Sequence, residues 1–355
     1  MGMFVNQIQT FVNLFTSIVW EAMPFIVLGA ILAGILEEFL PQSLITKILP
    51  KSPIIAVVAG GLLGLIFPMC ECGIVVVMRR LLKKGLPLSC CIAYMLAGPI
   101  VNVIVLTSTL VAFQGHKLLP TEPNGAGTLA PWMVLMRGGL GFAIAAITGL
   151  VVYARAGDGR RLLSDKALPD EGRSLDMVET AKPRKPFAQR IDLIARTALH
   201  DFIDIMMFLI LGAFLAAMVK LFVAPQQVEA FSQDYPYLSI PAMMILAVLM
   251  CLCSEADAFV AASFTQASIS SKLSFLVLGP MLDLKLLLMY TRIFKPKLIA
   301  MIVTCTVSLT LLFSLGVHFG LTNWTNSVLA KQQADAPKAE SPAAPGEPAM
   351  PASKP

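Results

Sequence analysis

Charged residues are scarce in this sequence. Asp, Glu, Lys and Arg make up 14% of its 355 residues, against 57% hydrophobic residues and a mean hydropathy of +0.77. Soluble domains carry about 25% charged residues, so this balance excludes an ordinary soluble domain. The sequence also has no P-loop, no nucleophile elbow and no paired-histidine metal motif. It therefore gives no sign of ATP-driven transport, and we expect neither an enzyme nor a cofactor.

The seven cysteines are an odd number and lack the spacing of a secreted, disulfide-linked domain, so most should be free thiols. The formal net charge is +5, but Lys and Arg lie in the loops between apolar runs, as membrane topology requires. No nucleic-acid partner is therefore expected. The expected partners are the lipid bilayer and a small-molecule or ion substrate, and copies of the chain could form a homo-oligomer.

Long apolar runs are abundant. Five are long enough to cross roughly 30 Å of hydrocarbon, namely 11–36, 87–113, 131–154, 202–222 and 298–321. The first run is too long for a cleaved secretory signal and lacks its basic start, so we expect a retained span. Two further apolar regions, 53–78 and 239–264, each carry a Cys-x-Cys motif. The sequence thus predicts an all-α polytopic membrane protein.

The motifs occur twice, at a fixed offset of 181 residues. FPMCECG and AGPIVN in the first half return as VLMCLCS and LGPMLD. The matched positions are Cys70 with Cys251, Cys72 with Cys253, Gly98-Pro99 with Gly279-Pro280, and Asn102 with Asp283. The segment EAMPFIVLGAILA also aligns with DIMMFLILGAFLA. This duplication predicts one membrane site built from two halves.

Four regions follow from this repeat. We predict a first transmembrane repeat at 1–154 and a second at 198–322. Between them, 155–197 holds ten basic and seven acidic residues and is typical of a solvated cytoplasmic linker. Residues 323–355 form an Ala/Pro-rich tail that we expect to be disordered.

The basic residues also favour one topology over another. RRLLKK after the first Cys-x-Cys corresponds to VAASFT, which has no charge, as expected if equivalent loops face opposite sides. This favours two inverted repeats, each with about three transmembrane helices and a re-entrant hairpin. The alternative is a bundle of eight crossing helices. Arg137 lies near the outer end of its predicted span and should reach the membrane interface.

The Cys-x-Cys motifs suggest a thiol site. On a regular helix the two side chains would point roughly 200° apart, so both can face one site only where the backbone is irregular. Pro68 and Gly73 flank the first motif and predict such a break, with residues 69–73 at a hairpin tip. The cysteines of both halves could then form one cluster for Zn(II), Cu(I) or another soft ion. Alternatively, they are small buried hydrophobic residues.

Further candidates surround this site. Pro99 and Pro280, with Gly98 and Gly279, should break their helices and free carbonyl groups for a ligand. The candidate substrate-binding residues are Cys70, Cys72, Cys251, Cys253, Glu71, Asn102 and Asp283. The alternative for Asn102 and Asp283 is a simple kink with a hydrogen-bonded polar side chain.

Ionisable residues in apolar surroundings are functional candidates by default. The coupling candidates are Glu71, Asp283, Glu255, Asp257 and Lys285, of which Glu71 and Asp283 could bind a cation or carry a proton. Glu255 and Asp257 could instead pair with Lys285 or Lys272. Glu21 and Asp204 could line the same path or bond to a neighbouring helix.

At PMCECG, AGPIVN and MCLCSEAD the chain resembles the bacterial predicted permeases of the YraQ and ArsP type, over roughly residues 10 to 320. Its long basic linker resembles the YraQ-like branch more. The family includes exporters of trivalent organoarsenicals whose cysteine thiols handle the substrate. The resemblance implies a multi-pass protein of the bacterial inner membrane that exports a thiophilic compound, with the four motif cysteines matching the family pattern.

Three functions follow as hypotheses. The first is a secondary transporter for a thiophilic metal, metalloid or thiol-reactive compound, such as a trivalent arsenical, with thiols as ligands and a carboxylate for proton coupling. The second is a membrane thiol-disulfide oxidoreductase that relays reducing equivalents. A scaffold or assembly factor is the third.

Overall fold

The computed structural model describes residues 2–39, 52–115, 129–156, 187–222, 236–264 and 267–335. Within these ranges the regular elements are twelve α-helices. The first half contains α1 (Gly2–Phe39), α2 (Pro53–Ile66), α3 (Glu71–Lys83), α4 (Leu88–Ala97), α5 (Val103–Ala112) and α6 (Leu129–Ala156). The second contains α7 (Phe187–Phe222), α8 (Pro236–Met250), α9 (Asp257–Ser263), α10 (Ile269–Met281), α11 (Leu284–Ile293) and α12 (Pro296–Asp335).

Five helical stretches in the described residues are long and apolar enough to cross a membrane. They are Asn6–Ile35, Leu129–Arg155, Ile194–Met218, Ile269–Ile293 and Pro296–Asn323. The predicted span 87–113 is divided into α4 and α5 of ten residues each, and Ile269–Ile293 is divided in the same way into α10 and α11. The prediction of an all-α polytopic membrane protein is confirmed.

The first hairpin follows from contacts of α2, α3 and α4. Gly60 of α2 lies against the Cys90 carbonyl, and Gly64 lies against the backbone of Gly98, so α2 and α4 run in the same direction. Ile74 near the start of α3 touches Gly98 at the end of α4. α3 therefore runs opposite to both helices, and α2 and α3 are antiparallel arms joined by a short turn.

The second hairpin has the same form. The hydroxyls of Ser239 and Ser271 lie 2.6 Å apart near the starts of α8 and α10, while Ala247 approaches Gly279 near their ends. α8 and α10 therefore run in the same direction. Asp257 at the start of α9 also lies beside Gly279, so α9 leads back along α10. Whether the two hairpins form inverted repeats stays a prediction.

Both broken helices resume at a polar cap. Asn102 Oδ1 accepts a hydrogen bond of 2.9 Å from the Ile104 amide and caps α5. Asp283 Oδ1 accepts one of 2.6 Å from the Leu286 amide and caps α11. The break in the first half begins at Gly98, whereas Pro280 lies within α10, which continues to Met281. Asn102 and Asp283 are therefore both helix N-caps.

The predicted region boundaries differ from the helix ends. α7 begins at Phe187, within the predicted linker, and α12 continues to Asp335, within the predicted tail. Residues 323–335 contain Leu, Ala, Lys and Gln, which favour helix. The remainder of the linker, 157–186, and of the tail, 336–355, lies outside the described residues.

Replacing Gly98 by Ala should destabilise the fold. The new Cβ would meet the Ile74 side chain and lie 2.8 Å from the Tyr94 carbonyl oxygen. We expect the free energy of unfolding in detergent to fall by about 1–3 kcal/mol because the contact becomes overpacked. Gly139→Ala is the control, since a Cβ there would meet no described atom within 4 Å apart from its chain neighbours and the backbone of its own helix. Equal stability of the two variants would contradict the close approach of α3 and α4.

Candidate functional site

A small cavity at the two hairpin turns is lined by all four motif cysteines. Its lining residues are Ile18, Glu21, Ala22, Cys70, Glu71, Cys72, Cys251, Cys253 and Lys285. They come from α1, the starts of α3 and α11, and the turns after α2 and α8. Residues distant in sequence therefore line one cavity.

The first turn, residues 67–70, leaves the helical conformation between α2 and α3. Cys70 is the N-cap of α3, and Glu71 and Cys72 lie in its first turn, where free amide groups favour negative charge. The sequence placed this tip at 69–73, but the helix already starts at Glu71. Gly73 belongs to α3, and a Cβ added to Gly29 of α1 would lie 3.0 Å from the Cα of Gly73. Gly73 thus allows α1 to approach closely.

The second turn, residues 251–256, begins with an unusual backbone conformation. Cys251 has a φ of +47°, a left-handed value that costs a residue other than Gly about 1–3 kcal/mol. Its thiol lies 3.4 Å from the Val248 carbonyl. Cys253 donates a hydrogen bond of 2.6 Å to Glu255 Oε2. Since this stretch is irregular, both cysteines reach the cavity despite their spacing.

The two turns meet at the thiols. The Sγ atoms of Cys70 and Cys253 and a carboxylate oxygen of Glu71 all lie within 4.8 Å of one another. Two sulfur atoms and one oxygen could hold a soft metal ion or metalloid. Cys72 and Cys251 line the same cavity without belonging to this group of three.

The cavity contains a buried cation. Lys285 Nζ lies 2.8 Å from Glu71 Oε1 and 3.4 Å from Asp283 Oδ2, and it donates to the Cys251 carbonyl at 3.4 Å. The side chains of Lys285, Glu71 and Asp283 are at most 3% exposed. The sequence alternative that Lys285 pairs with Glu255 or Asp257 is wrong, because its carboxylate partners are Glu71 and Asp283.

Arg137 differs most from its prediction. Instead of reaching the membrane interface, it is fully buried. Its Nη2 donates to both carboxylate oxygens of Asp257, at 2.8 and 2.9 Å, and to the Ser254 carbonyl at 3.0 Å. Its Nη1 donates to Thr109 Oγ1 at 2.7 Å. Arg137 therefore connects the second turn to α5 and α6 of the first half.

Sequence reasoning missed this role although a signal was present. Arg137 stands alone among apolar and small residues in LMRGGLG, and a buried charge in a span needs a partner. Asp257, on the other half, supplies it. Since the two residues are distant in sequence, local patterns could not identify the pair.

The remaining candidates divide into two groups. Glu21 lines the cavity, whereas the side chain of Asp204 lies outside the described residues. Asn102 is buried as the cap of α5 and does not line the cavity. Gly98, Pro99, Gly279 and Pro280 lie at or beside the helix breaks and also do not line it.

Replacing Arg137 by Met should cost about 3–5 kcal/mol of unfolding free energy, because Asp257 would remain buried without its cation. The double variant Arg137→Met/Asp257→Leu should recover much of this loss, since both charges are removed. Denaturant unfolding in detergent measures both effects. Arg196→Met is the control because its ion pair with Asp192 is exposed, and its stability should change little. A similar small change for Arg137→Met would contradict the buried pair.

Comparison with known proteins finds one matching family and two similar bacterial proteins. The ArsP_1 family, described as predicted permease, matches residues 7–319. UPF0718 protein YcgR of Bacillus subtilis is 37% identical over 305 residues, which cover 85% of this chain and 95% of that protein. A putative two-component membrane permease complex subunit of Streptococcus mutans is 32% identical over 303 residues, 85% of this chain and 93% of that protein. No solved structure matches the chain.

These matches confirm the resemblance found at the cysteine and Gly-Pro motifs. Together with the long apolar helices, they identify a multi-pass membrane permease, and the Bacillus relative agrees with a bacterial inner-membrane location. The chain belongs to the ArsP_1 family of predicted permeases.

Proposed function

We propose that this permease is a secondary transporter that exports a thiophilic metal ion, metalloid or thiol-reactive compound, such as a trivalent arsenical. The observation that carries the proposal is the buried group formed by Cys70, Cys253 and Glu71, whose ligand atoms lie within 4.8 Å of one another. Thiolates prefer soft ions over Mg²⁺ or Ca²⁺. Cys72 and Cys251 supply further thiols as the substrate enters or leaves.

Packing between the halves supports a pseudo-two-fold relation between the two repeats, which alternating access through inverted repeats requires. α3 returns from the first turn and packs against α11, while α9 returns from the second turn and packs against α5. With the offset of 181 residues, α5 corresponds to α11 and most of α9 corresponds to α3. In each contact, the helix that follows the turn of one half packs against the helix that follows the Gly-Pro break of the other half. A pseudo-two-fold axis between the halves requires such a pair of equivalent contacts.

Proton coupling is part of this proposal and is assigned to Glu71 or Asp283. Both carboxylates are buried and contact Lys285, so a change at one alters the charge balance of the site. Glu255 does not line the cavity but accepts a hydrogen bond from Cys253, which does. Asp257 is less suited to coupling because Arg137 holds both of its oxygens.

The Streptococcus relative, by its name, is a subunit of a two-component membrane permease complex. We extend this to the present chain and propose that it works with a second subunit. Homo-oligomerisation, suggested by the sequence analysis, remains a separate prediction.

Substrate binding tests the proposal directly. Purified reduced protein should bind Zn(II), Cu(I), arsenite or methylarsenite, and Cys70→Ser/Cys253→Ser should lose about tenfold or more in affinity for the species bound. Equilibrium dialysis with elemental analysis measures this. Cys305→Ser is the matched control, because Cys305 lies on α12 and does not line the cavity. Equal binding by both variants, or no binding by wild type, would refute the soft-ligand site.

A thiol-disulfide relay is the second candidate, favoured by the sulfur atoms of Cys70 and Cys253, which lie within 4.8 Å of each other. Thiol exchange needs such close sulfur atoms. Acid trapping during turnover, followed by thiol labelling, separates the two functions. The transporter requires these cysteines to stay reduced throughout, whereas the relay requires a transient disulfide.

A further inference from the structure

Among the described residues that line the thiol cavity, Lys285 is the only cation. Its ammonium group is held by oxygen atoms: Glu71 Oε1 at 2.8 Å, Asp283 Oδ2 at 3.4 Å and the Cys251 carbonyl at 3.4 Å. Such a shell of oxygens is also suited to a metal cation. The ammonium therefore occupies a place where a bound cation would be stabilised.

Glu71 belongs both to the ion pair with Lys285 and to the group formed with Cys70 and Cys253. One of its oxygens receives Lys285, while Oε2 is buried and has no hydrogen-bond partner in the described part of the chain. A carboxylate oxygen of Glu71 also lies within 4.8 Å of the sulfur atoms of Cys70 and Cys253. A soft cation bound by these three residues would therefore share the Glu71 carboxylate with the Lys285 ammonium, and the two positive charges would repel each other.

Asp283 carries a charge that its capping task does not require. Its Oδ1 caps α11, and Asn102 caps α5 in the same way with a neutral amide. The second oxygen of Asp283 is buried, has no hydrogen-bond partner among the described residues and lies 3.4 Å from Lys285 Nζ. The extra charge is therefore available to hold the ammonium group when Glu71 is occupied.

We propose that Lys285 is a displaceable counter-ion that makes the site selective for soft cations. In the empty site its ammonium neutralises Glu71. When a cation binds Glu71 and the thiolates of Cys70 and Cys253, the two thiol protons leave to water as the metal–sulfur bonds form, and the ammonium moves to Asp283. This inference rests on the proposed transport function and deepens it. A neutral compound gains no charge compensation from displacing the ammonium, so the substrate class is cationic.

The required movement is confined to the outer part of the side chain. Gly212 of α7 packs so closely on Lys285 that a Cβ at Gly212 would lie 2.7 and 2.8 Å from the Cβ and Cα of Lys285. The backbone and Cβ of Lys285, on α11, are thus held against α7. Because Nζ already contacts both carboxylates, rotation about the terminal bonds suffices to exchange them.

The sign of an affinity change tests this role. Lys285→Met should bind Cu(I) or Zn(II) about tenfold or more tightly than wild type, because the competing charge is gone. Lys285→Arg keeps the charge and should stay close to wild type. Competition with a chromophoric chelator measures each affinity, and size-exclusion chromatography checks folding. General structural damage would weaken binding, so tighter binding by the Met variant is specific to displacement.

Asp283→Asn provides an independent test if Lys285→Met does not fold. Asn keeps the cap, as Asn102 does, but offers no charge to receive the ammonium. Affinity for the same cation should fall about tenfold or more, because Lys285 stays on Glu71. Unchanged affinity in Asp283→Asn would overturn the transfer step.

The outcomes separate this inference from the proposed function. Wild-type binding that is lost in Cys70→Ser/Cys253→Ser, but unchanged in Lys285→Met and Asp283→Asn, would refute the counter-ion and leave the thiol site standing. Binding of neutral methylarsenite without binding of either cation would also refute it. No binding of any probe by wild type would refute the proposed function itself.

Discussion

Charges buried within a membrane protein must be satisfied by the protein, because hydrocarbon provides neither hydrogen bonds nor counter-ions. Lys285 meets this requirement by pairing with Glu71, and Arg137 by pairing with Asp257. In each pair the carboxylate belongs to the opposite half of the chain. The cysteines of the irregular turns, Cys70, Cys251 and Cys253, are likewise buried within the protein.

Two ion pairs hold the turns in place. Glu71, directly after the first turn, pairs with Lys285 of the second half, and Asp257, directly after the second turn, pairs with Arg137 of the first half. Each pair therefore crosses between the halves. Since removal of one partner from a buried pair is costly, these contacts favour a closed arrangement of the cavity. Movement of the halves must exchange or rearrange at least one of them.

The repeat is similar in backbone but not in charge. Asn102 and Asp283 cap their helices through equivalent oxygens, yet Asp283 alone adds a carboxylate beside a buried lysine. The thiols are likewise unequal, because Cys70 and Cys253 converge with Glu71, while Cys72 and Cys251 line the cavity outside this group. A duplicated scaffold thus carries an asymmetric site, and its chemistry depends on the differences between the copies.

The sequence alone determined the membrane class, the repeated motifs and the need for irregular backbone at the cysteines. These features depend on composition, on helical periodicity and on the local effects of Pro and Gly. It did not determine that the helix begins at Glu71, that Gly73 accommodates α1, or that α12 continues to Asp335. Local sequence also could not show that Arg137 pairs with Asp257 and Lys285 with Glu71. Only the tertiary structure decided these pairings, because they join residues more than a hundred positions apart whose distance depends on how the two halves pack.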